Sequence, residues 1–301
     1  MITPPRLSSG DTIGIVASGK RVSAENLEAA ILQLQSWGLK VVVGDNVIRN
    51  EHSYLAASDL NRKSDFQAML KNKDVKAILC ARGGYGSTRI VDDIDFTPLQ
   101  QDPKWIIGFS DVTAIHMKLL PAGIQSIHGP MALNFSNPLS QSSIEKLKHL
   151  LFDSPYTLEA PGSTSNRTGE ADGIITGGNL SLIVESLGTS SENDFDGCIL
   201  IIEEIDEFYY RLDRMFMQLK RAGKLSNISG LIIGQMTSMK EEDPEFGESV
   251  EQIVLDKVKG YKYPVAFNFP IGHEQPNLPW INGSTMRLNV GLHKSVLQPL
   301  S

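Results

Sequence analysis

Short apolar segments alternate with helical segments along the first half of the chain. The strand-like runs are TIGIVA (12–17), LKVVV (39–43), VKAILC (75–80) and WIIGF (105–109). Between the first two runs, Leu27, Ile31 and Leu34 recur at i, i+4 and i+7, the spacing of one helix face. Strands that alternate with helices pair in parallel. The chain is therefore predicted to be α/β, with an N-terminal, mostly parallel sheet of flavodoxin or Rossmann type that binds ligands beyond the carboxyl ends of its strands.

The pattern changes between residues 155 and 169, where PYTLEAPGSTSNRTG is rich in Ser, Thr, Pro and Gly and poor in periodic apolar residues. At 301 residues, the chain is long enough for two domains of about 150 residues each. Strand-like and helical segments continue beyond this stretch in a mixed order. We predict an N-terminal α/β domain over residues 1–155, a linker over 156–169 and a mixed α/β C-terminal domain over 170–301.

Composition and charge exclude several classes of function. The formal net charge is −7 without a long cluster of Lys or Arg, so binding to nucleic acid or to an anionic membrane is not expected. No apolar run approaches the roughly 18 residues that span a bilayer, and the first residues lack the pattern of an export signal. The two cysteines, Cys80 and Cys198, lie in apolar strand-like runs, which fits core packing in a reducing cytosol. We expect a cytoplasmic protein with a small-molecule partner.

Ser110 stands between the strand WIIGF and a helix that starts near Val112. A serine at a tight strand-to-helix turn exposes its hydroxyl group, and the N–H groups at the start of the helix can hold an oxyanion. The sequence GFSDV keeps only the first glycine of the G-x-S-x-G elbow, so capping of the helix by Ser110 remains an open alternative.

A serine nucleophile needs a base, and the base needs an acid that orients it. His273 follows a strand and a Pro-Ile-Gly turn, in a loop without helical periodicity, where functional residues concentrate. His116 is expected to pack in the core, and His128 stays a lesser candidate for the base. The acid is sought where four apolar residues end abruptly in Glu203 and Glu204. A metal cluster of these acids with His273 has no recognised ligand spacing.

A glycine-rich turn, CARGGYGS (80–87), follows another predicted strand. Gly83 and Gly84 permit close approach of backbone amides to a ligand, which suits the second oxyanion donor that acyl transfer requires. Phosphate binding is the alternative, and GIVASGKR (14–21) matches the Walker A spacing up to its lysine. Arg21 stands where a Ser or Thr would coordinate magnesium, so we interpret this match as chance.

Several of these stretches together resemble the LD-carboxypeptidases, or muramoyltetrapeptide carboxypeptidases, a family of serine peptidases. The matching segments, which lie between residues 81 and 283, are ARGGYGSTRIVDDID, GFSDVTAIH, HGPM, GGNLSLIVESLGT, ILIIEEIDEFYYRLDRMFMQL and FPIGHEQPNLPWING. Their joint order is specific, and the resemblance covers nearly the whole chain. The family has Glu-Asp where this chain has Glu203 and Glu204.

The resemblance implies a catalytic triad in which Ser110 is the nucleophile, Glu203 the orienting acid and His273 the general base. It also implies that the N–H groups of Gly84 and Asp111 are the oxyanion donors, and it requires neither a metal nor an organic cofactor. The reaction it implies is hydrolysis of the L,D-bond before the terminal D-alanine of murein tetrapeptide, in the cytoplasm, during peptidoglycan recycling. A related branch cleaves peptide-antibiotic conjugates and confers immunity, and the catalytic motifs do not separate the two branches.

The free terminal carboxylate of such a peptide needs a cation or a helix amino terminus. The candidates are Arg82, Arg211 and the GGN turn with Gly178 and Asn179. For Arg211, pairing with neighbouring carboxylates on the helix surface is favoured. The oligomeric state is left open, a homodimer included. The alternative from another class is a non-catalytic two-domain ligand-binding protein, although such a module needs no serine, carboxylate and histidine in this order.

Overall fold

The computed structural model describes residues 1–49, 52–153 and 155–300, and it divides into two compact units. Unit 1 consists of Met1–Ser154 and Pro276–Gly283. Unit 2 consists of Pro155–Gln275 and Ser284–Ser301. Among the described residues, no helix combines the length and the apolar character that crossing a membrane requires.

The strands and helices are numbered in chain order. The strands are β1 (Thr12–Val16), β2 (Lys40–Val43), β3 (Val75–Cys80), β4 (Trp105–Gly108), β5 (Ser126–His128), β6 (Leu158–Pro161), β7 (Gly169–Asn179), β8 (Ile199–Ile205), β9 (Gly230–Thr237), β10 (Val265–Ala266), β11 (Trp280–Asn282), β12 (Thr285–Val290) and β13 (Lys294–Pro299). The α-helices are α1 (Ala24–Ser36), α2 (Asp59–Lys71), α3 (Thr113–Leu119), α4 (Gln141–Phe152), α5 (Leu180–Glu185), α6 (Tyr209–Arg221) and α7 (Val250–Val258).

The sheet of unit 1 has the order β11-β5-β4-β3-β1-β2. The first five strands of the chain pair in parallel, and only β11 runs antiparallel, against β5. The parallel order 2-1-3-4-5 is that of flavodoxin-like folds, in which the connections reverse direction between β1 and β3. The mostly parallel N-terminal sheet is thus confirmed.

The sequence of these strands follows from their burial. Every residue of β1 and β4 is buried, which is why both read as continuous apolar runs without alternation. Helix α1 is capped by Ser23, whose side chain accepts a hydrogen bond from the N–H of Asn26, and the helix buries Leu27, Ala30 and Leu34 on one face. Because β1, β3 and β4 are parallel, the loops that follow them all emerge at the carboxyl edge of the sheet.

The sheet of unit 2 has the order β10-β9-β8-β7-β12-β13-β6. Strands β7 to β10 are parallel neighbours, and β12, β13 and β6 extend the sheet in antiparallel fashion. This arrangement confirms the mixed α/β character predicted for the second half. Helix α7 begins with a capping box, in which Ser249 and Gln252 satisfy each other's backbone N–H groups.

The structure differs from the predicted domain limits at two points. Strand β6 lies inside the predicted linker 156–169 and pairs with β13, burying Leu158 and Ala160 on one face. Strand β11 lies inside the predicted C-terminal domain 170–301 but joins the sheet of unit 1. Both strands have four residues or fewer, too short to give a periodic signal. That the two parts of the chain fold as separate domains stays a prediction.

Candidate active site

Ser110 lies at the carboxyl end of β4, where the chain turns into a helix. Phe109 is extended, Ser110 begins a single 3-10 turn over Ser110–Val112, and α3 follows directly. Ser110 has φ +61°, a left-handed conformation that costs a non-glycine residue free energy and is found mainly at functional turns. The residue that precedes the turn is Phe109, so Ser110 does not occupy the capping position. The geometry is that of a nucleophile elbow, although the second glycine of that motif is absent.

The glycine-rich loop after β3 packs directly against this turn. A β-carbon on Gly83 would lie 3.3 Å from Cβ of Ser110 and 3.4 Å from N of Asp111, so the loop and the turn are in close contact and even an alanine at this position would crowd Ser110. Gly84 has φ +96°, a conformation that favours glycine. The structure thus brings the candidate oxyanion loop and the candidate nucleophile together within unit 1.

Glu203 and His273 meet in unit 2. Glu203 is fully buried near the end of β8, and its Oε2 lies 2.8 Å from Nδ1 of His273, whose side chain is 14% exposed. Burial acts to lower the pKa of His273, but the hydrogen bond and the charge of Glu203, with a contribution from Glu204, raise it on balance. A carboxylate on Nδ1 fixes the orientation of the ring and makes Nε2 the nitrogen that can act as a base.

The loop that carries His273 is held against β9 by glycines. A β-carbon on Gly234 would lie 2.4 Å from the carbonyl oxygen of Ile271, and one on Gly272, which has φ +143°, would lie 2.8 Å from Cβ of Gln235. The side chain of Gln235 in turn accepts a hydrogen bond from the N–H of Glu274. These contacts place His273 at the carboxyl ends of β8 and β9.

Comparison with known proteins identifies the family. The model of the LD-carboxypeptidase N-terminal domain matches residues 13–129, and the model of the LD-carboxypeptidase C-terminal domain matches residues 172–288. The chain belongs to the LD-carboxypeptidase family. The resemblance inferred from the motifs is thereby confirmed.

Two curated relatives extend this result. The chain is 35% identical to a probable murein peptide carboxypeptidase of Bacillus subtilis, over 98% of this chain and 94% of the relative. It is 28% identical to the murein tetrapeptide carboxypeptidase of Pseudomonas aeruginosa, over 91% of each.

Solved structures agree with the fold. The muramoyltetrapeptide carboxypeptidase of Oxalobacter formigenes is 29% identical, with a TM-score of 0.87 over 96% of this chain and 100% of that one. The microcin C7 self immunity protein MccF, solved with aspartyl sulfamoyl adenosine, is 21% identical, with a TM-score of 0.86 over 98% of each chain. At that identity, the likeness to MccF shows the two-domain α/β fold alone.

The adjacent acid, Glu204, has a different environment from that of Glu203. Its Oε1 accepts hydrogen bonds from Nδ2 of Asn179 and the N–H of Ile205, and its Oε2 accepts from the N–H and the hydroxyl of Ser181. Burial raises the pKa of Glu204, and these donors oppose that shift. Glu204 therefore fixes the turn between β7 and α5.

The residues predicted to bind the substrate carboxylate divide between the two units. In unit 1, Arg82 is half-buried in the glycine-rich loop and donates to the carbonyl oxygen of Arg21. In unit 2, Gly178 and Asn179 end β7 beside β8. Arg211 places its guanidinium over the rings of Phe208 and Tyr210 and pairs with Glu207 on the helix surface.

The remaining histidine candidates occupy core positions. His116 is fully buried, with Nδ1 2.8 Å from Oγ of Ser126 and Nε2 2.8 Å from the carbonyl oxygen of Gly108, and burial lowers its pKa to about 4. His128 is buried and stacks on Trp280. In the part of the chain that the structure describes, no group of three or more His, Cys, Asp or Glu side chains could hold a metal ion.

Sequence reasoning missed one feature of unit 1. The carboxylate of Asp111, buried beneath the turn, accepts hydrogen bonds from the loop 82–87. The residue type is visible in the sequence, but its contact with Ser87, 24 positions earlier, is not. An acidic residue in a buried turn that faces a glycine-rich loop is the signal that could have indicated it.

Proposed function

We propose that this protein is a cytoplasmic serine carboxypeptidase that releases the terminal D-alanine from murein tetrapeptide. Ser110 is the nucleophile, His273 the general base and Glu203 the acid that orients it. The observation that carries the proposal is the 2.8 Å contact between Glu203 and His273 in a chain whose serine occupies a strained strand-to-helix turn. The names of the relatives from Bacillus subtilis and Pseudomonas aeruginosa support the choice of substrate class.

The first half of the reaction forms an ester. Nε2 of His273 accepts the hydroxyl proton of Ser110 as Oγ attacks the carbonyl carbon before D-alanine, and Glu203 stabilises the imidazolium that results. The negative charge that develops on the carbonyl oxygen is stabilised by the N–H groups of Gly84 and Asp111. The C–N bond then breaks, and His273 returns the proton to the amine of D-alanine as it leaves.

The second half of the reaction releases the shortened peptide. A water molecule attacks the ester carbonyl while Nε2 of His273 accepts its proton, and the same N–H groups stabilise the second oxyanion. Oγ of Ser110 then leaves and regains a proton from His273. The net reaction is hydrolysis. Ser110 supplies the nucleophile, His273 the base and the backbone N–H groups the oxyanion donors, so the proposed steps require no metal, redox partner or organic cofactor.

Free D-alanine is the direct test. The protein is incubated with murein tetrapeptide, and D-alanine is measured with a D-amino acid oxidase assay beside the Ser110→Ala variant. We expect release by the unaltered protein and loss of release in the variant. The substrate assignment would be contradicted if the protein has a normal unfolding transition and releases no D-alanine at every pH tested between 6 and 9.

A serine-directed fluorophosphonate separates the chemistry from the substrate. The modified residue is located by mass spectrometry of the digested protein. Modification of Ser110 would support its assignment as the nucleophile even if another peptide were the substrate. Lack of modification together with lack of D-alanine release would favour the non-catalytic ligand-binding alternative.

A further inference from the structure

The peptide group between Gly83 and Gly84 is held by a backbone hydrogen bond. The N–H of Lys20, in the loop after β1, donates to the carbonyl oxygen of Gly83 at 3.0 Å. In a planar trans peptide, the C=O and the following N–H point in opposite directions. The N–H of Gly84 therefore points away from Lys20, and rotating it would break this hydrogen bond.

The other end of the loop is held by a buried carboxylate. Oδ1 of Asp111 accepts from the N–H of Gly86 at 3.1 Å, and Oδ2 accepts from the N–H of Ser87 at 2.9 Å and from its hydroxyl at 2.7 Å. Burial raises the pKa of Asp111, whereas the donors from Ser87 and Gly86 act to lower it. Hydrogen bonds to a carboxylate are the stronger ones in proteins, and a buried carboxylate without them would be costly.

The two attachment points meet at Gly19. A β-carbon there would lie 2.6 Å from Oδ2 of Asp111 and 2.9 Å from the carbonyl oxygen of Gly83, so a side chain would displace one or both. From beneath the loop, the fully buried guanidinium of Arg62 donates to the carbonyl oxygen of Gly86 at 2.9 Å. Every element of this arrangement lies in unit 1.

We propose that these contacts lock the loop 83–87 with the N–H of Gly84 aimed as an oxyanion donor before substrate arrives, and that the carboxylate of Asp111 is a positioning residue of the reaction. The proposal rests on the proposed function, in which Gly84 and Asp111 supply the oxyanion donors through their backbone. It adds that the side chain of Asp111 sets the direction of the Gly84 donor through Gly86 and Ser87.

The expected effect is on the transition state and not on substrate binding. Loss of one oxyanion donor costs about 10²–10³ in kcat, so a misaligned donor should cost on the order of 10–100-fold. In Asp111→Asn, an amide NH₂ replaces one acceptor oxygen and faces a backbone N–H group. We expect kcat to fall by about 10–100-fold while KM changes by less than about threefold, because the donor acts after the substrate is bound.

The experiment uses three variants and a matched control. Asp111→Asn removes an acceptor, Ser87→Ala removes only the hydroxyl donor, and Gly19→Ala pushes on both attachment points. The control is Asp65→Asn, because Asp65 is also a buried carboxylate of unit 1 and accepts from the N–H and the side-chain amide of Asn46 at 2.8 and 2.6 Å. Asp65 holds the loop after β2 and should lose stability without a selective loss of kcat.

Four quantities are measured for each protein: kcat and KM for D-alanine release, the rate constant for modification of Ser110 by a fluorophosphonate, and the temperature of unfolding. The fluorophosphonate reports on the oxyanion donors whatever the peptide substrate is. When Oγ of Ser110 attacks its phosphorus, negative charge also develops on an oxygen beside the serine. We expect Asp111→Asn and Gly19→Ala to lose kcat and modification rate in parallel, Ser87→Ala to lose less, and Asp65→Asn to lose neither.

Two results would overturn the inference. One is Asp111→Asn with kcat and modification rate within threefold of the unaltered protein. The other is a loss in Asp65→Asn that equals the loss in Asp111→Asn, since both would then reflect stability. If Asp111→Asn fails to fold, Ser87→Ala is compared with Asp65→Asn in the same way. The inference is then overturned if Ser87→Ala leaves kcat and the modification rate unchanged, or if Asp65→Asn loses as much as Ser87→Ala. A normal Ser110 modification rate without D-alanine release would reject the proposed substrate and leave this inference intact.

Discussion

Replacement of Glu203 by glutamine is the sharpest test of the proposed catalytic site. Glu203 is fully buried, and its Oε2 lies 2.8 Å from Nδ1 of His273. Glutamine keeps the size and shape of the side chain but removes the charge. If its NH₂ group faces the ring, it donates to Nδ1 and forces the proton onto Nε2, which then cannot accept the proton of Ser110.

The magnitude follows from the role of the acid. The same isosteric change in a serine protease triad lowers kcat by about 10⁴, because the tautomer is wrong and the imidazolium loses its partner. We therefore expect Glu203→Gln to lower kcat by about 10³–10⁴, with a normal unfolding transition. The pKa of His273 should also fall, because burial then acts without the hydrogen bond and charge of Glu203 that raise it.

The assay compares two neighbouring glutamates. D-alanine release is measured for Glu203→Gln and for the control Glu204→Gln, and the His273 pKa is followed by NMR of the ring in each. Glu204 makes its hydrogen bonds to Asn179, Ser181 and Ile205, so its variant should keep kcat within about tenfold. The reasoning is refuted if Glu203→Gln retains more than a tenth of kcat, or if Glu204→Gln is the more damaging of the two.

Three further predictions concern the nucleophile, the base and the core. Ser110→Ala should lower kcat by about 10³ or more. Its circular dichroism should be unchanged, because alanine adopts the left-handed conformation at this turn no less readily than serine does. A kcat above one hundredth of that of the unaltered protein would contradict this prediction. The ratio kcat/KM should rise with pH as His273 loses its proton, with a midpoint above that of an ordinary histidine, since its pKa is raised; a midpoint well below that of an ordinary histidine would identify another base. His116→Ala should lower the free energy of unfolding by about 2–4 kcal/mol in urea titrations but leave kcat within threefold at 25 °C, and selective loss of kcat would assign His116 a catalytic role.

His273 also makes stability depend on pH, and the sign follows from its raised pKa. A histidine whose pKa is higher in the folded state than in the unfolded state contributes its full stabilisation below the unfolded value, and that stabilisation is lost as pH rises through the folded value. The loss should disappear in Glu203→Gln, because the partner that raises the pKa is gone.

The amino-acid sequence determined the strand and helix pattern of unit 1, because buried parallel strands must be apolar along their whole length. TIGIV and WIIG form β1 and β4, and the periodic residues Leu27 and Leu34 lie on the buried face of helix α1. It also placed Ser110 at a turn, since the strand, the polar residue and the helix are consecutive. These features depend on neighbours within about ten residues, which is the range that periodicity can report.

Tertiary structure alone decided which side chains face one another. Glu203 and Glu204 are adjacent on β8, and successive side chains of a strand point to opposite faces. The family resemblance named Glu203 as the acid, but no local pattern encodes which of the two reaches His273, 70 positions away. Strand β11 joins the sheet of unit 1 through pairs that are more than 150 positions apart, such as Trp280 with His128, a contact that no local pattern encodes. The hydrogen bonds of the Asp111 carboxylate to Ser87 are equally non-local, since they exist only once β3 and β4 lie side by side and bring their carboxyl ends together.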